Sequence, residues 1–156
     1  MDILLFNLLW MLYNLSLGVI ALSSGWLSIK ISFLGLRLIL AIIWLLFIPN
    51  TLYILTDIIN FFRQWYLAGD VLRILILCQY AVFLALGTIL FVLAFYPMEE
   101  FLRKELKERQ YLTTTIIIMN FVIGFGVAMG RIERTNSWDV FVDIKKVFND
   151  GISVAT

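Results

Sequence analysis

Residues 33–64 read FLGLRLILAIIWLLFIPNTLYILTDIINFFRQ, and a change of character halfway along this stretch decides the fold. From Phe33 to Ile48 the chain is apolar except for Arg37, and then it meets Pro49. Beyond the proline, Asn50, Tyr53, Asp57, Asn60 and Gln64 recur at spacings of three, four, three and four. At about 100° per helical residue these five side chains fall within an arc of roughly 80°. Most of the intervening positions, Leu52, Ile54, Leu55, Ile58, Ile59, Phe61 and Phe62, are apolar. A polar stripe on a helix of membrane hydrophobicity faces protein or a water-filled cavity, because an unpaired carboxylate in lipid costs a few kcal/mol. Pro49 predicts a helix kinked or broken at that residue and continuing to about residue 62, since proline removes a backbone hydrogen bond.

Composition carries the same message. Of 156 residues, 62% are hydrophobic and 15% charged, where soluble domains average about a quarter charged. Mean hydropathy is +0.97. The net charge of +1 carries no basic surplus for nucleic acid. Histidine is absent, which removes His-based triads and His-ligated zinc or haem. The single cysteine, Cys78, has no intrachain disulfide partner. No metal-ligand spacing is present, and neither metal nor cofactor is expected.

Three further segments are long enough to cross a hydrocarbon core of about 30 Å. They run from about residue 3 to 22, 72 to 96, and 112 to 130. Four spans are too few to close a barrel, so the fold class is all-α: a single-domain integral membrane bundle over residues 1–156. The first segment lacks a basic residue before its apolar run and reads as a retained span. Its Asn7, Met11, Asn14 and Gly18 form one face suited to helix contact. In the fourth span Gly126 and Gly130 form a GxxxG pattern that permits close backbone approach. Between spans three and four, Glu99–Arg103 and Glu100–Lys104 are spaced for ion pairs along a solvated helix. Residues 137–155 are too polar to span. Asp139, Asp143, Lys146 and Asp150 share one face and Phe141, Ile144 and Phe148 the other, predicting an amphipathic interfacial helix. Asn136 or Ser137 is the expected N-cap, with Asp139 in the first turn.

Orientation does not follow from charge. Lys30, Arg37, Arg103, Lys104, Lys107 and Arg109 fall on one side, and Arg63, Arg73, Arg131, Arg134, Lys145 and Lys146 on the other. Spans two and four nevertheless run in the same direction and end at the same face. That predicts a polar cluster at one bundle mouth, built from Asn50, Tyr53, Asp57, Asn60, Arg131, Arg134, Asn136, Trp138 and Asp139.

The motifs FIPNTLYILTD (residues 47–57) and GRIERTNSWDV (residues 130–140) resemble an uncharacterised bacterial membrane-protein family, domain of unknown function family 1361. The matching positions are Pro49, Asn50, Tyr53, Thr56 and Asp57, then Arg131, Arg134, Asn136, Ser137, Trp138 and Asp139. The resemblance covers most of the chain from about Gly35 onward. It implies a multi-pass protein of the bacterial cytoplasmic membrane and no particular reaction. The chain departs from the family pattern in carrying Asn60 where a histidine often follows the Thr-Asp pair. Family members also tend to continue into more hydrophobic sequence after the second motif.

Three functions fit these residues. The first is a membrane scaffold or complex subunit, partnered by another membrane protein or by a second copy, in which Asp57 pairs with Arg131 or Arg134 to lock the bundle. In the second, an interfacial enzyme or binder, Arg131 and Arg134 clamp an anionic lipid or phosphate head group and Asp57 acts as base or ligand. The third is an oligomeric proton, ion or solute transporter using Asp57. No nucleic acid is expected, and the lipid bilayer is the surrounding partner in all three.

Overall fold

The computed structural model describes residues 3–106 and 108–155. They form α1 (Ile3–Lys30), α2 (Leu34–Thr56), α3 (Ile58–Trp65), α4 (Asp70–Glu105), α5 (Arg109–Ile132), α6 (Asp139–Val142) and α7 (Ile144–Ala155), with no strand among the described residues. Four helical segments, counting α2 and α3 as one, are long and apolar enough to cross a membrane. The protein is an integral membrane protein. Its outer surface agrees: Leu38, Ile42, Leu75, Val82, Ile117 and Phe121 are exposed, as lipid-facing side chains should be.

The three-helix body of α1, α2 and α4 holds the core. One layer contains Ala21, Trp44, Ile48 and Ala94, reached by Ile123 of α5; a second contains Met11, Ile54, Ile76, Tyr80 and Phe83. Small residues let the backbones approach. A Cβ added at Gly87 would lie 2.5 Å from Ile54 Cγ2, and one at Gly18 would lie 3.0 Å from Leu90 and 3.2 Å from Thr51. The Gly18 face predicted from sequence is therefore a helix contact. The Trp44 indole donates to Ala94 O at 2.8 Å, so the aromatic that fills the first layer also spans two helices.

The helices are longer than their hydropathy predicted. α1 continues past residue 22 to Lys30, and α4 runs through Pro97 to Glu105. At 1.5 Å per residue α4 is about 54 Å long, well beyond the hydrocarbon thickness. Its final turns carry the predicted pairs Glu99–Arg103 (2.6 Å) and Glu100–Lys104 (2.7 Å).

Two sequence expectations are corrected in part. Of the kink or break expected at Pro49, the break is absent: α2 passes through the proline and ends at Thr56. The interruption falls at Asp57, where α-helical bonding tightens. Asp57 N–H donates to Ile54 O (3.2 Å) and Asn60 N–H to Asp57 O (2.9 Å). The tail is likewise not one helix. It divides into α6 and α7 at Asp143, whose backbone is non-helical (φ −146°, ψ 78°). Asp143 Oδ1 accepts the Lys146 N–H at 3.0 Å, so Asp143 caps α7 in place of the predicted Asn136 or Ser137. Phe141, Ile144 and Phe148 remain exposed on the apolar face, as the periodicity predicted.

α5 docks onto α2 through the GxxxG glycines. A Cβ at Gly126 would meet the Pro49 ring at 2.8 Å, and one at Gly130 the Tyr53 ring at 3.6 Å. Both pairs advance by four residues in the same sense, so α2 and α5 are parallel and end at one face. Gly124, by contrast, meets nothing within 4 Å. Substituting leucine at Gly126 should force α5 off the rigid Pro49 ring and cost about 1–3 kcal/mol, whereas Gly124→Leu should be neutral or slightly stabilising. Denaturation of the two variants in the same detergent checks the contrast. Equal behaviour would disprove this seam.

Candidate functional site: a polar cavity at the bundle mouth

The break at Asp57 frees two carbonyls, because the N–H groups that would normally reach Tyr53 O and Thr56 O bond one residue later. Both find partners. Thr56 Oγ1 donates to Tyr53 O at 2.7 Å, and Arg131 Nη2 donates to Thr56 O at 2.7 Å. Arg131 Nη1 also donates to Asp57 Oδ1 at 3.2 Å. The Asp57 side chain is 5% exposed and the Arg131 side chain 32%. The guanidinium carbon stands 5.4 Å from the centre of the Tyr53 ring. Thus the last turn of α5 is bolted to the interruption of α2 by an ion pair, a main-chain hydrogen bond and a cation–π contact.

The polar stripe separates into distinct groups. Asn50 donates to Phe47 O (3.0 Å) and to Ser137 Oγ (2.7 Å), tying the loop after α5 to α2. Asn60 makes only a long contact of 3.5 Å to Asp57 Oδ1. Gln64 leaves the group altogether. It exchanges two hydrogen bonds with the buried Asn7 amide (2.7 and 2.9 Å), and Asn7 also donates to Gln79 at 3.3 Å. Gln79 in turn donates to Leu4 O at 2.9 Å. That network clamps the start of α1 between α3 and α4 and is structural. Gln79 was not singled out from sequence, although a lone amide in an apolar span is itself a sign of an interhelical bond.

Between α1, α2 and the loop after α5 lies a cavity of about 360 Å³. Asn50, Tyr53, Asp57, Arg134 and Asn136 line it, together with Asn14, Thr135, Gly130 and the rings of Trp10 and Tyr13. From Trp10 to Leu17 the cavity follows α1 for about 10 Å. Of the nine residues predicted to cluster, five line this space. Arg131 lies behind it, committed to Asp57 and Thr56. Trp138 packs edge-on against Tyr13, with ring centres 6.0 Å apart, and closes the tail over α1. Asp139 turns away, accepting Asn136 N–H at 2.9 Å and Lys146 Nζ at 2.7 Å. Asn60 likewise does not line the cavity. Asn14 and Thr135 were missed as lining residues. The periodicity of Asn14 shows that it faces protein but not that the facing helix stands away from it.

Two features of the wall are left open. Asp57 Oδ2 is buried and has no hydrogen-bond partner among the described residues, although a buried carboxylate oxygen ordinarily accepts at least one bond. Arg134 is exposed at the cavity and makes no ion pair or hydrogen bond among the described residues. Its backbone has φ 55°, the only positive φ of a non-glycine residue in that set. This is the left-handed position that ends a helix, where glycine is the usual occupant. An arginine held there costs of order 1 kcal/mol and places a free guanidinium at the mouth. Among the described residues no group of three or more Cys, Asp or Glu is arranged to hold a metal ion.

Outside the spans, the Lys146 ammonium and the Asn136 N–H hold Asp139 below its ordinary value of 3.8, while the Asp139 hydrogen bond raises Lys146 above 10.5. A depressed carboxylate stabilises above 3.8 and loses that contribution as pH falls through its folded value. A raised amine stabilises below 10.5 and loses it as pH rises through its folded value. The packing of α6 on α7 should therefore be flat across neutral pH and loosen at both extremes, read as faster amide hydrogen exchange in residues 139–155. Lys146→Met should flatten the acid limb; a tail that loosens near pH 6 in the parent chain contradicts the pairing.

The Asp57–Arg131 pair generates a second prediction. Arg131→Met leaves a buried carboxylate unpaired and should cost about 3–5 kcal/mol, while the double variant Asp57→Asn, Arg131→Met should recover much of that loss. Additive losses in a double-mutant cycle would show that the two side chains do not interact.

No curated protein matches the chain. No solved structure matches it either. A family model described as "Protein of unknown function (DUF1361)" matches residues 7–156, nearly the whole chain and both motifs that build the mouth. The chain therefore belongs to the DUF1361 family of proteins of unknown function.

Proposed function

We propose that this protein binds an anionic group, a phosphate or carboxylate, in the cavity at one face of the membrane. The observation that carries the reading is Arg134. Its guanidinium has no partner among the described residues, sits on a backbone conformation that glycine would adopt more cheaply, and borders a polar cavity. Guanidinium forks suit such oxyanions, and the amides of Asn14 and Asn136 add donors to the same wall. Residence in a bacterial cytoplasmic membrane belongs to this proposal; it is supported by helical spans, since bacterial outer-membrane proteins are typically closed barrels.

A scaffold role is the second reading, and the Arg131 contacts favour it. They lock α5 to α2 and leave that cation no freedom to bind a ligand. The two arginines thus divide the two readings between them, which makes them separable by experiment.

Thermal unfolding in an uncharged detergent, titrated with inorganic phosphate and with a phosphate-headed amphiphile, tests binding. A ligand at a hundred times its Kd should stabilise the folded protein by about 2.7 kcal/mol. Arg134→Gly should raise the ligand-free midpoint, by relieving the left-handed arginine, and abolish the ligand-dependent rise. No rise with either probe in the parent chain would refute anion binding and leave the scaffold.

A further inference from the structure

α5 is the least covered of the four spans. Only 6% of its apolar window is buried, against 22% in each of the others. It nevertheless carries a polar side chain at its centre. Asn120 is the twelfth of the 24 residues of α5 and is exposed. Its Nδ2 donates to Ile116 O of the same helix at 2.8 Å, and its Oδ1 accepts nothing among the described residues. Halfway through a span, lipid offers that amide neither donor nor acceptor.

Thr113, Ile117, Asn120 and Gly124 follow one another at four, three and four residues, the spacing of the seam in a left-handed helix pair. At about 100° per residue they share an arc of roughly 60°. All four are exposed, and a Cβ at Gly124 would meet nothing within 4 Å. Gly126 and Gly130, which hold α5 to α2, lie on another side of the helix. In a lone chain the Asn120 face is turned to lipid.

We infer that this face pairs with the same face of a second copy of the chain, through a reciprocal hydrogen bond between the two Asn120 amides. Two copies inserted in the same sense are related by a two-fold axis along the membrane normal, so each seam residue meets its twin. A charged side chain on that axis would repel its twin, whereas an amide satisfies it, because it carries both donors and an acceptor. One N–H of each Asn120 stays on Ile116 O, and the other reaches the Oδ1 opposite. That self-complementarity selects a second copy as the occupant. Gly124, one turn further along, lets the two backbones close around the amide pair, and a single polar position in an apolar seam fixes the register. The inference is independent of anion binding, since no residue of this seam lines the polar cavity.

Energy transfer between donor-labelled and acceptor-labelled full-length chains in liposomes, diluted stepwise with lipid, measures the pairing. Asn120→Leu should weaken it about tenfold or more, and Asn120→Gln, which keeps donor and acceptor, should retain most of it. Gly124→Leu, neutral for the fold of a single chain, should also weaken it. An unchanged thermal midpoint of Asn120→Leu in excess detergent separates lost pairing from lost folding. In a Cys78→Ser background, Ile117→Cys should give a disulfide-linked dimer in native membranes. Ile118→Cys, similarly exposed but about 100° around the helix, should not. Energy transfer at the random level in the parent chain, or pairing of Asn120→Leu as tight as the parent's, overturns the inference. Cross-linking of Ile117→Cys to a different membrane protein alone also overturns it, and gives the face to an unlike partner. Equal cross-linking from Ile118→Cys reports collision and sinks the seam.

Discussion

Arg131 makes the contact on which the mouth of this bundle depends. A helix that stops inside a membrane leaves carbonyls with no water to satisfy them, and each would cost several kcal/mol in lipid. α2 stops at Thr56, and the guanidinium of Arg131 reaches both the freed carbonyl and the carboxylate that follows it. The same side chain therefore makes the break in α2 tolerable, neutralises Asp57 and fixes the end of α5. Removing it undoes three things at once. This is why the pair reads as architecture, while the neighbouring Arg134, which does none of them, is the cation on which the proposed anion binding rests.

The glycines of α5 complete the arrangement from the other direction. With a proline ring against Gly126 and an aromatic ring against Gly130, α5 lies close enough to α2 for Arg131 to reach its partners. α5 has only Ile123 buried; it is attached chiefly along this seam and to the tail, with a sparser contact to α4. A helix held along one edge leaves space beside the seam. On one side the space is polar, because the stripe of α2 and Asn14 of α1 face it. On the other it is apolar, because Val122, Phe125 and Met129 face it. The two cavities arise from one geometrical cause, and the loop bearing Arg134 separates them.

Local rules are obeyed through most of the chain and broken at the mouth. The amide network around Asn7 is satisfied, the Glu–Arg and Glu–Lys pairs of α4 are formed, and Asp143 caps its helix. Among the described residues two buried polar atoms go without a partner, Asp57 Oδ2 at the mouth and the Tyr80 hydroxyl in the core, and at the mouth Arg134 takes a glycine's backbone conformation. Exceptions of this kind concentrate where a protein meets a ligand, since the surrounding structure must hold them against their own preference.

How much was legible beforehand follows from what periodicity can and cannot encode. Four apolar segments, the inward stripe after Pro49, the parallel ends of the second and fourth spans and the amphipathic tail are all properties of single segments, so composition and spacing determined them. The meeting of the stripe after Pro49 with the cluster after Gly130 at one face followed from span direction alone. Which arginine pairs and which stays free did not. Arg131 and Arg134 are three residues apart and chemically identical, and only the left-handed turn after Glu133 carries the second one to the cavity. Pro49 likewise marks where a helix bond is lost, yet the helix runs on past its contact with Gly126, and the break falls at Asp57, where Arg131 satisfies the freed carbonyl. Gln64 lies on the same helical face as Asp57 but bonds Asn7, because α1 stands opposite it. Segment identity is written in local spacing; the division of like residues between structure and site depends on which neighbour the fold places opposite each one.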